Sequence, residues 1–165
     1  MNSKRTTVLV TIVGGTLASA AMDLVQYSIA AAFERGRASD ERDEEVEAIE
    51  SVVRLIGTLV PGLARPGRAH LTARGLHYSF GSAFAWAYVV AVRRAPLLAL
   101  GNGLAFGAAL FLVSDRVLIP AFRLGRAWDR YSRSERFNAL ASHLAYGVVL
   151  ETVRERFDRA ASNDV

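Results

Sequence analysis

The chain contains no cysteine, which excludes a disulfide framework, a thiolate metal site and a thiol nucleophile. Lysine occurs once, as Lys4, so the net charge of +4 rests almost wholly on arginine. Arginines flanking apolar runs meet lipid phosphates more readily than nucleic acid. No stretch repeats another, and 165 residues leave room for a single domain, 1–165. Familiar catalytic signatures are missing as well: there is no Gly-x-Ser-x-Gly, no phosphate-cradling glycine loop with lysine and no His-Glu-x-x-His. The run "GNGLAFG" has the glycines of a dinucleotide fingerprint but is expected inside an apolar helix, not after a strand. These absences lean away from an enzyme.

What the chain does have is apolar sequence in long runs, 52% hydrophobic overall. Val8 to Phe33 carries only Asp23 as a charge and, at ~1.5 Å per residue, exceeds a ~30 Å hydrocarbon core. Lys4, Arg5 and "ASA" at Ala18 to Ala20 resemble a signal peptide, yet the apolar run continues past that point, which favours an uncleaved anchor. A second run covers 71–92, with Arg74 able to snorkel near its end. A third, 95–121, is bracketed by Pro96 and Pro120 and has no charge before Asp115. A fourth, 135–153, is a marginal span in which Phe137 to Leu150 is uncharged and Arg136 and Arg154 reach outward. The expected fold is therefore all-α: an integral membrane four-helix bundle. Between the first two runs, Val46, Ile49, Val53, Ile56 and Val60 recur at helical spacing beside Glu50 and Arg54, predicting an additional amphipathic interfacial helix over 43–60. Its core, Glu44 to Val60, is the candidate surface for a partner or a second copy. Small residues at helical spacing, Gly15 with Ser19, Gly75 with Ser79 and Gly103 with Gly107, predict where helices meet.

Five ionisable residues interrupt these runs. In an alternating topology Asp23, His77, Asp115, Glu135 and His143 all fall in the half of the bundle nearest the long loops, while both termini and the "VRRAP" turn lie at the other end. The basic residues of that second end lean toward cytoplasmic termini. Thr16, Ser19, Asp23 and Gln26, with Tyr27 beside them, form a polar seam on the first helix. An ionisable group at mid-membrane costs at least ~2.5 kcal/mol, so the cluster is a functional candidate. His77, Asp115 and His143 are ligand types for a divalent metal ion. A haem between His77 and His143 is geometrically allowed, but nothing else calls for it. Each residue also has a plain structural reading; Glu135, for example, completes a capping box begun by Ser132.

"HYSFGSAFAWAY" in the second run, "SDRVLIPAF" in the third and "SERFNALASHLAYG" entering the fourth resemble the YagU-like family of small bacterial inner-membrane proteins of unknown function. The resemblance implies a multi-pass protein of the bacterial inner membrane and supplies no activity. The residues themselves point to a membrane protein, in contact with lipid and not nucleic acid, whose polar cluster binds or relays a proton or metal ion. The alternative is a structural or partner-binding membrane protein whose polar residues only fix helix packing; a membrane metalloenzyme or cytochrome is the third.

Overall fold

The computed structural model describes residues 3–33, 69–122 and 131–163; the amphipathic segment 43–60 lies outside them. The described residues are all-helical apart from short turns, with no strand among them. Helix α1 covers 3–33 and changes pitch on the way: Ser3–Leu9 is α-helical, Val10–Gly14 is a π-helical turn, and Gly15–Phe33 is α-helical again. Helix α2 is Ala69–Val92. Helix α3 covers 104–122, and helix α4 is Arg133–Asn163.

The third helix begins at Leu104, later than the expected start at residue 95. Gly101, Asn102 and Gly103 all have positive φ (64°, 56° and 88°), a conformation that glycine tolerates and that no right-handed helix contains. Gly101 and Gly103 of "GNGLAFG" thus build a turn after the 3-10 segment Pro96–Ala99, while Gly107 lies within the helix. Further along, Leu104–Val113 opens into a π-helical turn, Ser114–Leu118, before closing at Ile119–Phe122. Pro120 lies just after that turn. Its ring lacks an N–H and crowds the carbonyl four residues back, and a widened turn relieves both problems. Asp115 lies within this widened turn.

Helix α4 is longer than the expected 135–153: its 31 residues extend ~46 Å. Arg154–Asp158 at 2.6 Å and Arg159–Glu155 at 2.5 Å brace its final turns at i, i+4 spacing. It packs along both α1 and α3, and α1 also packs along α2.

Small residues set these crossings. A Cβ on Gly15 would come within 2.7 Å of the Ser82 Cα, and one on Gly81 would overlap the Ser19 hydroxyl. On the other side of the fold, a Cβ on Gly147 would strike the Gly103 carbonyl and lie 2.8 Å from the Gly107 nitrogen. Two of the three expected pairs are contact surfaces, therefore, and the third is not. Gly75 has nothing within 4 Å of a built Cβ, and the exposed Ser79 bonds back to the Gly75 carbonyl at 2.7 Å. A hydroxyl satisfied by its own helix needs no neighbour.

Polarity is distributed in an unusual way. Ser19, Ser142, Tyr88, Tyr146 and Glu151 are fully buried, whereas Val8, Ile12, Leu17, Leu24, Leu112 and Val117 are exposed. Two stretches, Arg5–Ala32 and Leu104–Ala121, are long and apolar enough to cross a membrane. The second expected run is not a third such stretch; His77, Tyr78, Ser79 and Ser82 dilute its first half.

A Gly147→Ala substitution should destabilise the protein by about 1–3 kcal/mol, because the added methyl meets backbone atoms that cannot rotate away. Gly75→Ala should be neutral or stabilise by up to ~1 kcal/mol through helix propensity. Reversible unfolding in detergent micelles measures both; equal effects would contradict the crossing geometry.

Candidate functional site

The polar seam of α1 turns inward from Ser19 to Gln26, while Thr16 and Tyr27 are exposed at its margins. Asp23 Oδ1 lies 3.1 Å from His77 Nε2, and its Oδ2 accepts the Tyr78 hydroxyl at 3.1 Å. Asp23 thus ties α1 to α2. Nearby, the Asn138 amide donates to the Gln26 carbonyl at 3.2 Å and ties α1 to α4.

A second pair joins α3 to α4. Asp115 Oδ2, carried on the π-helical turn, lies 3.4 Å from His143 Nε2, and their side chains are 16% and 9% exposed. The Phe111 ring stands edge-on to the imidazole, with centroids 5.8 Å apart. The other ring nitrogen, Nδ1, faces the Ala139 carbonyl at 2.8 Å. His143 is thus bonded to the Ala139 carbonyl and faces Asp115 at ion-pair distance, while Asp115 Oδ2 is a buried acceptor with no hydrogen-bond partner. A proton on Asp115 or on the facing ring nitrogen is what that oxygen lacks.

Glu135 has a different job. The Ser132 hydroxyl accepts from the Glu135 backbone N–H at 3.2 Å, and the Glu135 carboxylate accepts from the Ser132 backbone N–H. This reciprocal capping box starts α4. The five expected residues thus divide into two histidine–aspartate pairs and a helix cap. His77, Asp115 and His143, expected together as metal ligands, are not gathered into one set: each histidine has its own aspartate on a different pair of helices. Among the described residues, no three His, Asp or Glu side chains are grouped to hold a metal ion.

A third polar centre lies at the opposite end of the fold, and the sequence reading missed it. Glu151, 1% exposed, accepts the Tyr88 hydroxyl at 2.6 Å. It also takes both edges of the Arg154 guanidinium, from Nε and Nη2, each at 2.6 Å. Arg154 folds inward to do so, instead of snorkelling outward as expected. Its hydrogen bonds to Glu151 hold it more firmly protonated than a free arginine, against the opposing pull of burial. The signal for this centre was present: Glu151 follows His143 and Gly147 at i+8 and i+4, on one stripe of α4. Between the two ends stand Tyr88, Phe106 and Tyr146, with ring centroids 4.5 and 6.4 Å apart. Tyr146 donates to the Gly81 carbonyl.

Residues 67–152, more than half of the chain, match the family described as protein of unknown function (DUF1440). The chain belongs to the DUF1440 family. No curated protein and no solved structure matches it. The DUF1440 match covers the segments on which the YagU-like resemblance rested. It includes His77, Asp115, His143 and Glu151, while Asp23 precedes it and Arg154 follows it.

These roles separate by stability. Ser132→Ala should cost ~1 kcal/mol through the lost cap, and Glu135→Gln should cost little, because glutamine also closes a capping box. Glu151→Ala should cost about 3–5 kcal/mol by leaving Arg154 without its buried partner. Thermal or chemical unfolding in micelles orders the three; Glu135→Gln as damaging as Glu151→Ala would contradict the assignment.

Proposed function

We propose that this DUF1440 protein is a multi-pass protein of the bacterial inner membrane, a single four-helix membrane domain that binds and passes on a proton at its histidine–aspartate pairs. The membrane part is supported by the outward-facing apolar residues. In the most apolar window of each of the two stretches only 28% and 17% of the residues are buried, unlike the mostly buried core helix of a water-soluble fold. Many of their large aliphatic side chains face outward, while serines, tyrosines and a glutamate share the interior with Val10, Leu110 and Leu150, an arrangement that suits a hydrocarbon solvent. Helices α2 and α4 then complete the bundle, with Tyr88, Ser142, His143, Tyr146 and Glu151 turned inward.

The observation that carries the proton reading is His143 held between the Ala139 carbonyl and the Asp115 carboxylate. Such a site is incomplete without an exchangeable proton, and imidazole–carboxylate pairs are the groups that exchange protons near neutral pH. Asp23 and His77, more open to the long-loop end at 22% and 34% exposure, are the entry pair. A metal ion at Asp115 and His143 would find two ligands where structural sites use four and catalytic sites three, so the proton is favoured. The competing reading, in which the pairs only pin helices together, draws on the fact that each pair does bridge two helices.

Reconstitution separates the two. In proteoliposomes with an entrapped pH dye, the parent protein should dissipate an imposed pH gradient faster than empty vesicles. Asp115→Asn and His143→Gln should fall to the empty-vesicle rate while still resisting carbonate extraction. Glu135→Gln should behave as the parent. Identical rates for the parent, both variants and empty vesicles would leave only the packing reading, and release by carbonate would overturn the membrane reading itself.

A further inference from the structure

The two histidine–aspartate pairs share a plan and differ in one atom. Each imidazole meets an aromatic ring edge-on: Phe111 stands beside His143, and Tyr78 beside His77 with centroids 5.5 Å apart and ring planes at 90°. Only the second ring carries a hydroxyl, and that hydroxyl donates to Asp23 Oδ2 at 3.1 Å. His77 and Tyr78 are consecutive on α2, so their side chains leave the helix about 100° apart. The Asp23 carboxylate of α1 presents one oxygen to each of them.

The openness of the entry pair gives the hydroxyl its use. Asp23 and His77 are more exposed than Asp115 and His143, so water competes for the Asp23 oxygens, and an unheld carboxylate can turn toward it. His77 Nε2 does not share that exposure: the atom is buried and has no hydrogen-bond partner. A proton therefore reaches Nε2 from Asp23 Oδ1, 3.1 Å away, and not directly from water. The transfer breaks the O–H bond formed when water delivers the proton to Oδ1 and makes an N–H bond on Nε2, with no other bond changed. It requires Oδ1 to stay on the histidine side, which a carboxylate with Oδ2 engaged by the Tyr78 hydroxyl achieves and a freely turning one does not.

From this we infer that Tyr78 is the positioning residue of the entry pair: its hydroxyl holds the carboxylate and its ring edge holds the imidazole, so that an incoming proton passes from Asp23 to His77. The inference rests on the proton reading and adds to it a residue that neither takes up nor releases the proton. A phenol suits that task, because at neutral pH it stays an un-ionised donor.

Tyr78→Phe keeps the ring and removes the hydroxyl. In histidine-labelled protein in bilayers, its His77 Nε2 nitrogen-15 resonance should move from the parent's position toward that of Asp23→Asn, while the His143 resonances stay in place. In proteoliposomes its dissipation of a pH gradient should fall several-fold, to at most roughly tenfold, the factor set by one hydrogen bond of about 1.4 kcal/mol. Tyr27→Phe, which removes an exposed hydroxyl from the same end, should match the parent in both measurements. With a parent that outpaces empty vesicles and an Asp115→Asn variant that does not, an unchanged His77 resonance or a parental rate in Tyr78→Phe would each overturn the inference and leave the proton reading standing. A His143 signal that moves as well would show a packing role for Tyr78 and overturn it too. A parent no faster than empty vesicles refutes the proton reading first, and the inference with it.

Discussion

The close crossing of α4 over α3 at Gly147, Gly103 and Gly107 is the constraint from which the polar architecture follows. No side chain separates the two backbones there, so α4 cannot rotate without opening the contact. With its rotation fixed, the stripe that holds Gly147 points inward along the helix. His143 lies one turn before the crossing and Glu151 one turn after it. One packing contact therefore buries an imidazole toward one end and a carboxylate toward the other. Interhelical burial alone gives little drive in lipid, and close backbone approach through small residues supplies contact area in its place.

Three of the inward-facing ionisable groups face a partner on another helix. Asp115 on the π-helical turn of α3 meets His143, Tyr88 on α2 meets Glu151, and Asp23 on α1 meets His77. The two ends nevertheless differ in kind. Glu151 is held by a tyrosine hydroxyl and a bidentate arginine, which fix it as a carboxylate with its charge matched. His143 bonds the Ala139 carbonyl and faces an Asp115 oxygen that has no hydrogen-bond partner. The first arrangement is closed on itself; the second leaves a buried acceptor unsatisfied. The aromatic side chains of Tyr88, Phe106 and Tyr146 lie between them, so any passage from one end to the other must displace rings or recruit water.

Helix existence and much of the inward face were legible because they depend on composition and spacing. Long apolar runs read as helices, and the depth of an ionisable residue can be counted from helix ends, which is why Asp23 with His77 and Asp115 with His143 were expected near one another. Which histidine meets which aspartate was not legible, because it depends on the order in which helices pack. The π-helical turn that carries Asp115 follows from Pro120, although periodicity counting assumes a uniform pitch and passes over it. Glu135 was legible both as a cluster member and as the glutamate of a capping box, because a capping glutamate and a buried one look alike when only depth is counted; the structure shows the cap. Glu151 was overlooked because the uncharged stretch ends at Leu150, one residue before it.

The shared proton at His143 is the claim on which the functional account stands. Nitrogen-15 spectra of histidine-labelled protein in lipid bilayers at neutral pH, assigned by comparison with His77→Gln, report it directly. The account predicts that His143 has a protonated Nδ1 and that its Nε2 shares a proton with Asp115, a signature absent from Asp115→Asn. A neutral ring with an unprotonated Nδ1, unchanged by that substitution, would contradict it.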